Sequence, residues 1–94
     1  MVQQLSGTAS EGALFRIQGY DIAKRVNVAG EFNGWDPNRT PMIRRGDAWE
    51  IRVPLSAGRY QYKFVVDGNW MLDPINGAKQ DDGNGNQNSL LIIE

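Results

Sequence analysis

A chain of 94 residues is the size of one ordinary domain and too short for two independent cores. It contains neither cysteine nor histidine, which removes disulfides, thiolate metal sites and serine–histidine or cysteine–histidine catalysis. Ten Lys plus Arg stand against eleven Asp plus Glu, a net charge of −1. Such a balance lacks the basic excess that tracks a phosphate backbone, so nucleic acid is not an expected partner.

The longest uninterrupted apolar run, Leu90–Ile93, is far short of a membrane span. The opening MVQQLSGTAS has neither the charged nor the apolar region of a secretory signal. The expectation is a cytoplasmic chain with no membrane partner and no cofactor.

Residues 1–10 are polar and aperiodic and read as a flexible tail or linker, leaving 11–94 as the domain. From there the apolar period is two. Phe15 alternates with Ile17 and Val26 with Val28, followed by Trp49, Ile51 and Val53, and then by Tyr60, Tyr62, Phe64 and Val66. Arg44 and Arg45, adjacent on a strand, point to opposite faces and read as solvated edge. The last run, Ser89–Ile93, is continuous, as in a strand buried on both faces or at a sheet centre. Between the runs stand Asn33-Gly34, Asp36-Pro37, Gly46-Asp47, Asp67-Gly68 and the Gly/Asn stretch 81–88, each with the φ preferences that turns need. The pattern predicts an all-β fold, an immunoglobulin-like antiparallel β-sandwich of about seven strands.

Asp67-Gly68 predicts a two-residue primed turn. That turn fixes the register: Val66 opposite Asn69, Val65 opposite Trp70, Phe64 opposite Met71. Directly opposed residues share a face. One face then carries Tyr60, Tyr62, Phe64 and Met71, a core. The other carries Gln61, Lys63, Val65 and Trp70, so Trp70 either lies under a loop or faces a ligand. Trp49 is in phase with Ile51 and Val53 and belongs to the core. Trp35 lies outside every alternating run, where it either caps an end of the sandwich or awaits a ligand.

Two solvent-facing tryptophans beside a lysine and an Asn/Gln-rich loop suit a sugar. A pyranose offers a flat C–H face to an aromatic plane, and its hydroxyls need amide and ammonium partners. Each stacked ring removes roughly 100 Å² from water, worth about 2.5 kcal/mol gross. Two platforms and several hydrogen bonds outweigh the entropy of association, where one platform alone does not.

Three segments, GEFNGWDP (30–37), PLSAGRYQYKFVVDGNWMLDP (54–74) and GNGNQNSLLII (83–93), resemble the family-48 carbohydrate-binding modules. That family includes the glycogen-binding domain of the AMP-activated protein kinase β subunit and the early-set domains that precede isoamylases and glycogen branching enzymes. The resemblance runs from Ala13 to Ile93 and implies a β-sandwich that binds α-1,4-linked glucans such as glycogen or starch. It implies Trp35 and Trp70 as sugar platforms and Lys63 and Asn88 as hydroxyl partners. Asn86 falls where the kinase domains often place a threonine. Asn84 aligns with a leucine of the kinase domains that reaches toward the glucan ring, and the loop 80–87 is one residue longer here.

Other readings compete. Asp82 to Asn86 mimics the first half of a calcium loop, but Gln87 stands where that loop needs glycine and Ile93 where it needs glutamate. Glycoside hydrolysis needs two acids across a cleft, whereas Asp36, Asp67, Asp73 and Asp81 all fall on turns, where acids cap and are solvated. The rival of a different class is an immunoglobulin-like module that docks a catalytic domain or partner subunit, with Trp35 and Trp70 as its anchors.

Overall fold

Strand alternation dictates the first pairing. β2 (Ala13–Gln18) buries Ala13, Phe15 and Ile17 and exposes Leu14, Arg16 and Gln18. It runs antiparallel to β5 (Ala48–Val53), with Phe15 opposite Ile51 and Ile17 opposite Trp49. β4 (Ile43–Arg45) completes this three-stranded sheet as its edge. Arg44 and Arg45 are both exposed there, as expected of an edge kept charged against stray pairing. The computed structural model describes residues 6–7, 12–20 and 22–94.

The second sheet is built on β6 (Gly58–Val66). One side of β6 pairs with β3 (Val26–Gly30); the other pairs first with β9 (Gln87–Ile93) and then with β7 (Asn69–Met71). β8 (Lys79–Asp81) and β1 (Ser6–Gly7) flank the two ends of β9. β1 pairs in parallel with Ile92–Ile93, so these two residues of the predicted tail join the sheet. The rest of residues 1–10 lies outside the described residues. The expected sandwich is present, and the strand count exceeds seven because β1, β4, β7 and β8 are pieces of two or three residues.

The core lies between the sheets. Phe15 and Ile17 meet Val28, Tyr62, Phe64 and Leu91, with the Phe15 and Tyr62 rings 5.0 Å apart, edge to face at 71°. Trp49 is 8% exposed and belongs to this cluster, as its phase predicts. Asp73 departs from expectation: it is buried, not solvated. Its Oδ1 accepts the Ile75 and Asn76 N–H groups, and its Oδ2 accepts the Tyr62 hydroxyl at 2.6 Å. Both oxygens are therefore satisfied without water.

Candidate functional site

The Asp67-Gly68 turn has φ of 49° and 87°, the left-handed pair of a primed hairpin. It sets Val65 opposite Trp70 and Phe64 opposite Met71, the register read from the sequence. Trp70 is 45% exposed on the outer face of the larger sheet. Val65 shares that face but is buried.

Trp35 reaches the same face from a loop. β3 ends at Gly30 and the chain makes one 3-10 turn, Glu31–Asn33. Gly34 and Trp35 then both adopt left-handed backbone, φ 69° and 59°. The second of these is costly for a bulky residue. It is held by the Trp35 N–H donating to the Gly30 carbonyl at 2.9 Å and by Asn33 buried under the turn. The result sets the Trp35 and Trp70 rings 6.4 Å apart, with planes tilted by 37°. Together they form a bent apolar platform.

A groove of about 390 Å³ opens beside the two rings. Gln61 and Lys63 of β6, Asn88 of β9, Glu31 and Asp82 line the rest of it. Asn88 is 8% exposed and its Nδ2 donates to Gln61 Oε1 at 2.9 Å, which fixes both amides across adjacent strands. Glu31 Oε1 accepts the Gln61 N–H at 2.7 Å, standing in for β3 where that strand has turned away. Asp82 Oδ1 accepts the Asn84 N–H at 2.8 Å and the Asn86 N–H at 3.2 Å. The Asn84 N–H chiefly holds this carboxyl below its usual range, against slight desolvation and with help from Asn86 and the Lys63 charge.

The structure thus gathers Trp35, Lys63, Trp70 and Asn88 around one groove. Asn84 and Asn86 are exposed on the neighbouring loop and are not among the residues lining it. Three lining residues, Gln61, Glu31 and Asp82, are not among the sugar contacts expected from the sequence. Gln61 was legible, since the hairpin register already placed it beside Lys63 on the outer face. Glu31 and Asp82 carry no such signal, because both depend on how a loop turns. Among the described residues no cluster of acidic side chains is arranged to hold a metal ion. Nor, among the described residues, is any helix long and apolar enough to cross a membrane.

The surface offers two apolar ring faces set at an angle, fixed amides and an ammonium group. That is an arrangement for a neutral polyhydroxylated chain. The family model described as the glycogen recognition site of AMP-activated protein kinase matches residues 15–94. The chain belongs to this family. Similar proteins include Protein PTST homolog 2, chloroplastic, of Arabidopsis thaliana, 34% identical over 71 residues, 76% of this chain and 13% of that protein. The 1,4-alpha-glucan branching enzyme GlgB 2 of Xanthomonas campestris is 44% identical over 59 residues, covering 56% of this chain and 8% of the enzyme. The 5'-AMP-activated protein kinase subunit beta-2 of Mus musculus is 39% identical over 51 residues, covering 54% of this chain and 18% of the subunit. The glycogen-recognition module spans less than a fifth of each of these relatives.

Proposed function

We propose that this glycogen-recognition module binds α-1,4-glucan chains by stacking successive glucose residues on Trp35 and Trp70 and does no chemistry on them. One observation carries the reading: two indole rings 6.4 Å apart at 37°, lining one groove with Lys63, Gln61 and Asn88. A bent platform suits a chain that turns at every linkage, as an α-1,4-glucan does. A flat β-linked ribbon would ask for coplanar rings. Lys63, the Gln61–Asn88 pair and Glu31 supply donors and acceptors for hydroxyls at the groove floor. Asn84 and Asn86 contribute from the loop when a longer or cyclic glucan reaches over it.

The acids in the groove support a binding role. A glycosidase acid is held above the usual carboxylate range so that it carries a proton, and Asp82 is held below it. Glu31 is already engaged with the Gln61 backbone at 2.7 Å. The protein works without a cofactor on this reading. Its setting is the cytoplasm, where the absence of cysteine is no handicap.

A second role rests on a different surface. Leu14 and Ile43, 37% and 51% exposed, lie on the outer face of the three-stranded sheet among Arg45, Glu50 and Arg52. That face is where a covalently or non-covalently attached catalytic domain would dock, and it leaves the tryptophan groove free. Retardation in a native gel containing glycogen, against a control gel with an inert protein, tests the primary role. Equal mobility in both gels overturns it, as does release of reducing sugar from starch by the pure module.

A further inference from the structure

The outward residues of β6 continue past the groove described above. Gln61 and Lys63 line that groove; Val65, the next outward position, and Asp67 at the turn line a second one on the far flank of Trp70. Trp70 is a wall of both. The second groove is the larger, about 670 Å³ against about 390 Å³. At about 3.3 Å per residue, the strand from Gln61 to Asp67 covers roughly 20 Å, so the two grooves form one strip along β6.

The second groove has its own polar groups. Asn27, opposite Val65 in register, lines it. Asn27 is 4% exposed, and its Oδ1 is the one buried side-chain polar atom without a hydrogen-bond partner among the described residues. A buried carbonyl left so is costly, and a turn of the Asn27 side chain toward the groove it lines would give that oxygen a hydroxyl partner. Lys24 and Asn38 stand exposed on the same groove. Asp67 Oδ1 accepts the Lys24 and Arg25 N–H groups at 2.9 and 2.8 Å, fixing that wall to the hairpin turn. An apolar surface of Trp70 and the half-buried Pro37, flanked by amides and an ammonium, repeats the chemistry of the first groove.

We infer that the second groove takes the next glucose residues of the same α-glucan chain, so that Trp70 is the middle of the footprint and not its end. This extension rests on the glucan-binding reading. Lys24→Ala/Asn38→Ala tests it, because both side chains are exposed and neither lines the first groove. Maltotriose and maltoheptaose are titrated into wild type and the double variant, with chemical shifts followed by NMR. Expected are tighter binding of the heptaose by wild type, shifts of the Asn27 side-chain amide with the heptaose only, and about a fivefold loss for the heptaose alone in the variant, the size of one ordinary hydrogen bond. Equal wild-type affinity for the two sugars, an unmoved Asn27 amide, or an equal loss for both sugars in the variant overturns the extension and leaves the first groove standing. Absence of binding to either sugar by wild type overturns the glucan reading itself.

Discussion

Asn33 Oδ1 accepts the Gly30 N–H at 3.0 Å, closing the 3-10 turn from which Trp35 emerges. The same side chain donates to the Val28 carbonyl at 3.0 Å and to Thr40 Oγ1 at 2.9 Å. One buried amide therefore ties β3, the turn and the far limb of the loop together. The left-handed backbone of Trp35 persists because its surroundings are fixed on three sides.

Asn33→Ala is expected to cost about 1–3 kcal/mol, since it leaves the Gly30 N–H without its partner in a buried turn. It is also expected to weaken glucan binding, although Asn33 is not among the residues lining the groove. A melt and a glycogen affinity gel on the same sample check both. Normal affinity with a lowered melt would show that Trp35 holds its place without Asn33.

Gly30→Ala attacks the same corner from the other side. A Cβ there would stand 2.6 Å from the Gln61 carbonyl oxygen and 3.0 Å from the Tyr62 Cβ. Neither contact is with the free end of a flexible side chain. Overpacking of this kind costs about 1–3 kcal/mol, and it also pushes Glu31 off the Gln61 N–H. A melting temperature equal to wild type would mean that the end of β3 moves freely.

The three tryptophans separate into two kinds of variant. Trp35→Ala and Trp70→Ala are expected to remove most glucan affinity with little change in melting temperature. Trp49→Ala is expected to cost about 3–5 kcal/mol, a large share of the stability of a small domain. A Trp70→Ala protein that binds normally but melts early would reverse the assignment.

Most of the larger sheet was legible because period two and the Asp67-Gly68 turn act locally. They gave Val65 opposite Trp70 with no knowledge of the rest of the chain, and phase alone put Trp49 in the core. Asp73 was not legible. An Asp before a proline reads as a solvated turn, and only the fold brings the Tyr62 hydroxyl and Ser89 to it. Glu31 was missed for a similar reason, since its partner, the Gln61 N–H, is freed by where β3 stops. The place of Trp35 stayed open until the fold put the turn after β3 against β7.

Two groups are expected to shape the pH range of stability, the buried Tyr62 more than the exposed and solvent-screened Asp82. Burial pushes the Tyr62 hydroxyl far above its ordinary value, with Asn76 opposing and the Asp73 carboxylate adding to the rise. A raised folded value means this contribution is complete below the unfolded tyrosine value of about 10 and is lost as pH climbs above it. Asp82 is shifted down, so its contribution is present above the ordinary aspartate value and is lost as pH falls below about 4. With no histidine, the melting temperature is expected to be flat from about pH 5 to 9. Tyr62→Phe is expected to lower that plateau and to flatten the alkaline fall. An alkaline fall as steep as in wild type would assign it to other groups. An NMR titration of the Asp82 carboxyl with a midpoint at or above the ordinary value would contradict its bonds to Asn84 and Asn86.

The loop 82–86 offers the remaining test. Asn84 is bonded through its backbone N–H to Asp82, so Asn84→Leu keeps the loop's own hydrogen bonds while changing only what its exposed tip presents. Fully burying a leucine is worth about 1.5–3 kcal/mol. A loop tip entering a glucan ring would bury about half of it, and ordering the loop takes some of that back. The expected net gain is about 1 kcal/mol, or about fivefold, mostly through a slower off-rate. The gain is expected to be larger for a cyclodextrin, whose ring encloses the side chain, than for linear maltoheptaose. Titration calorimetry of wild type and Asn84→Leu against both ligands decides it. Equal or weaker affinity for the cyclic ligand would mean that the longer loop keeps residue 84 away from the sugar, leaving Asp82, which lines the groove, as the loop's contribution to the site.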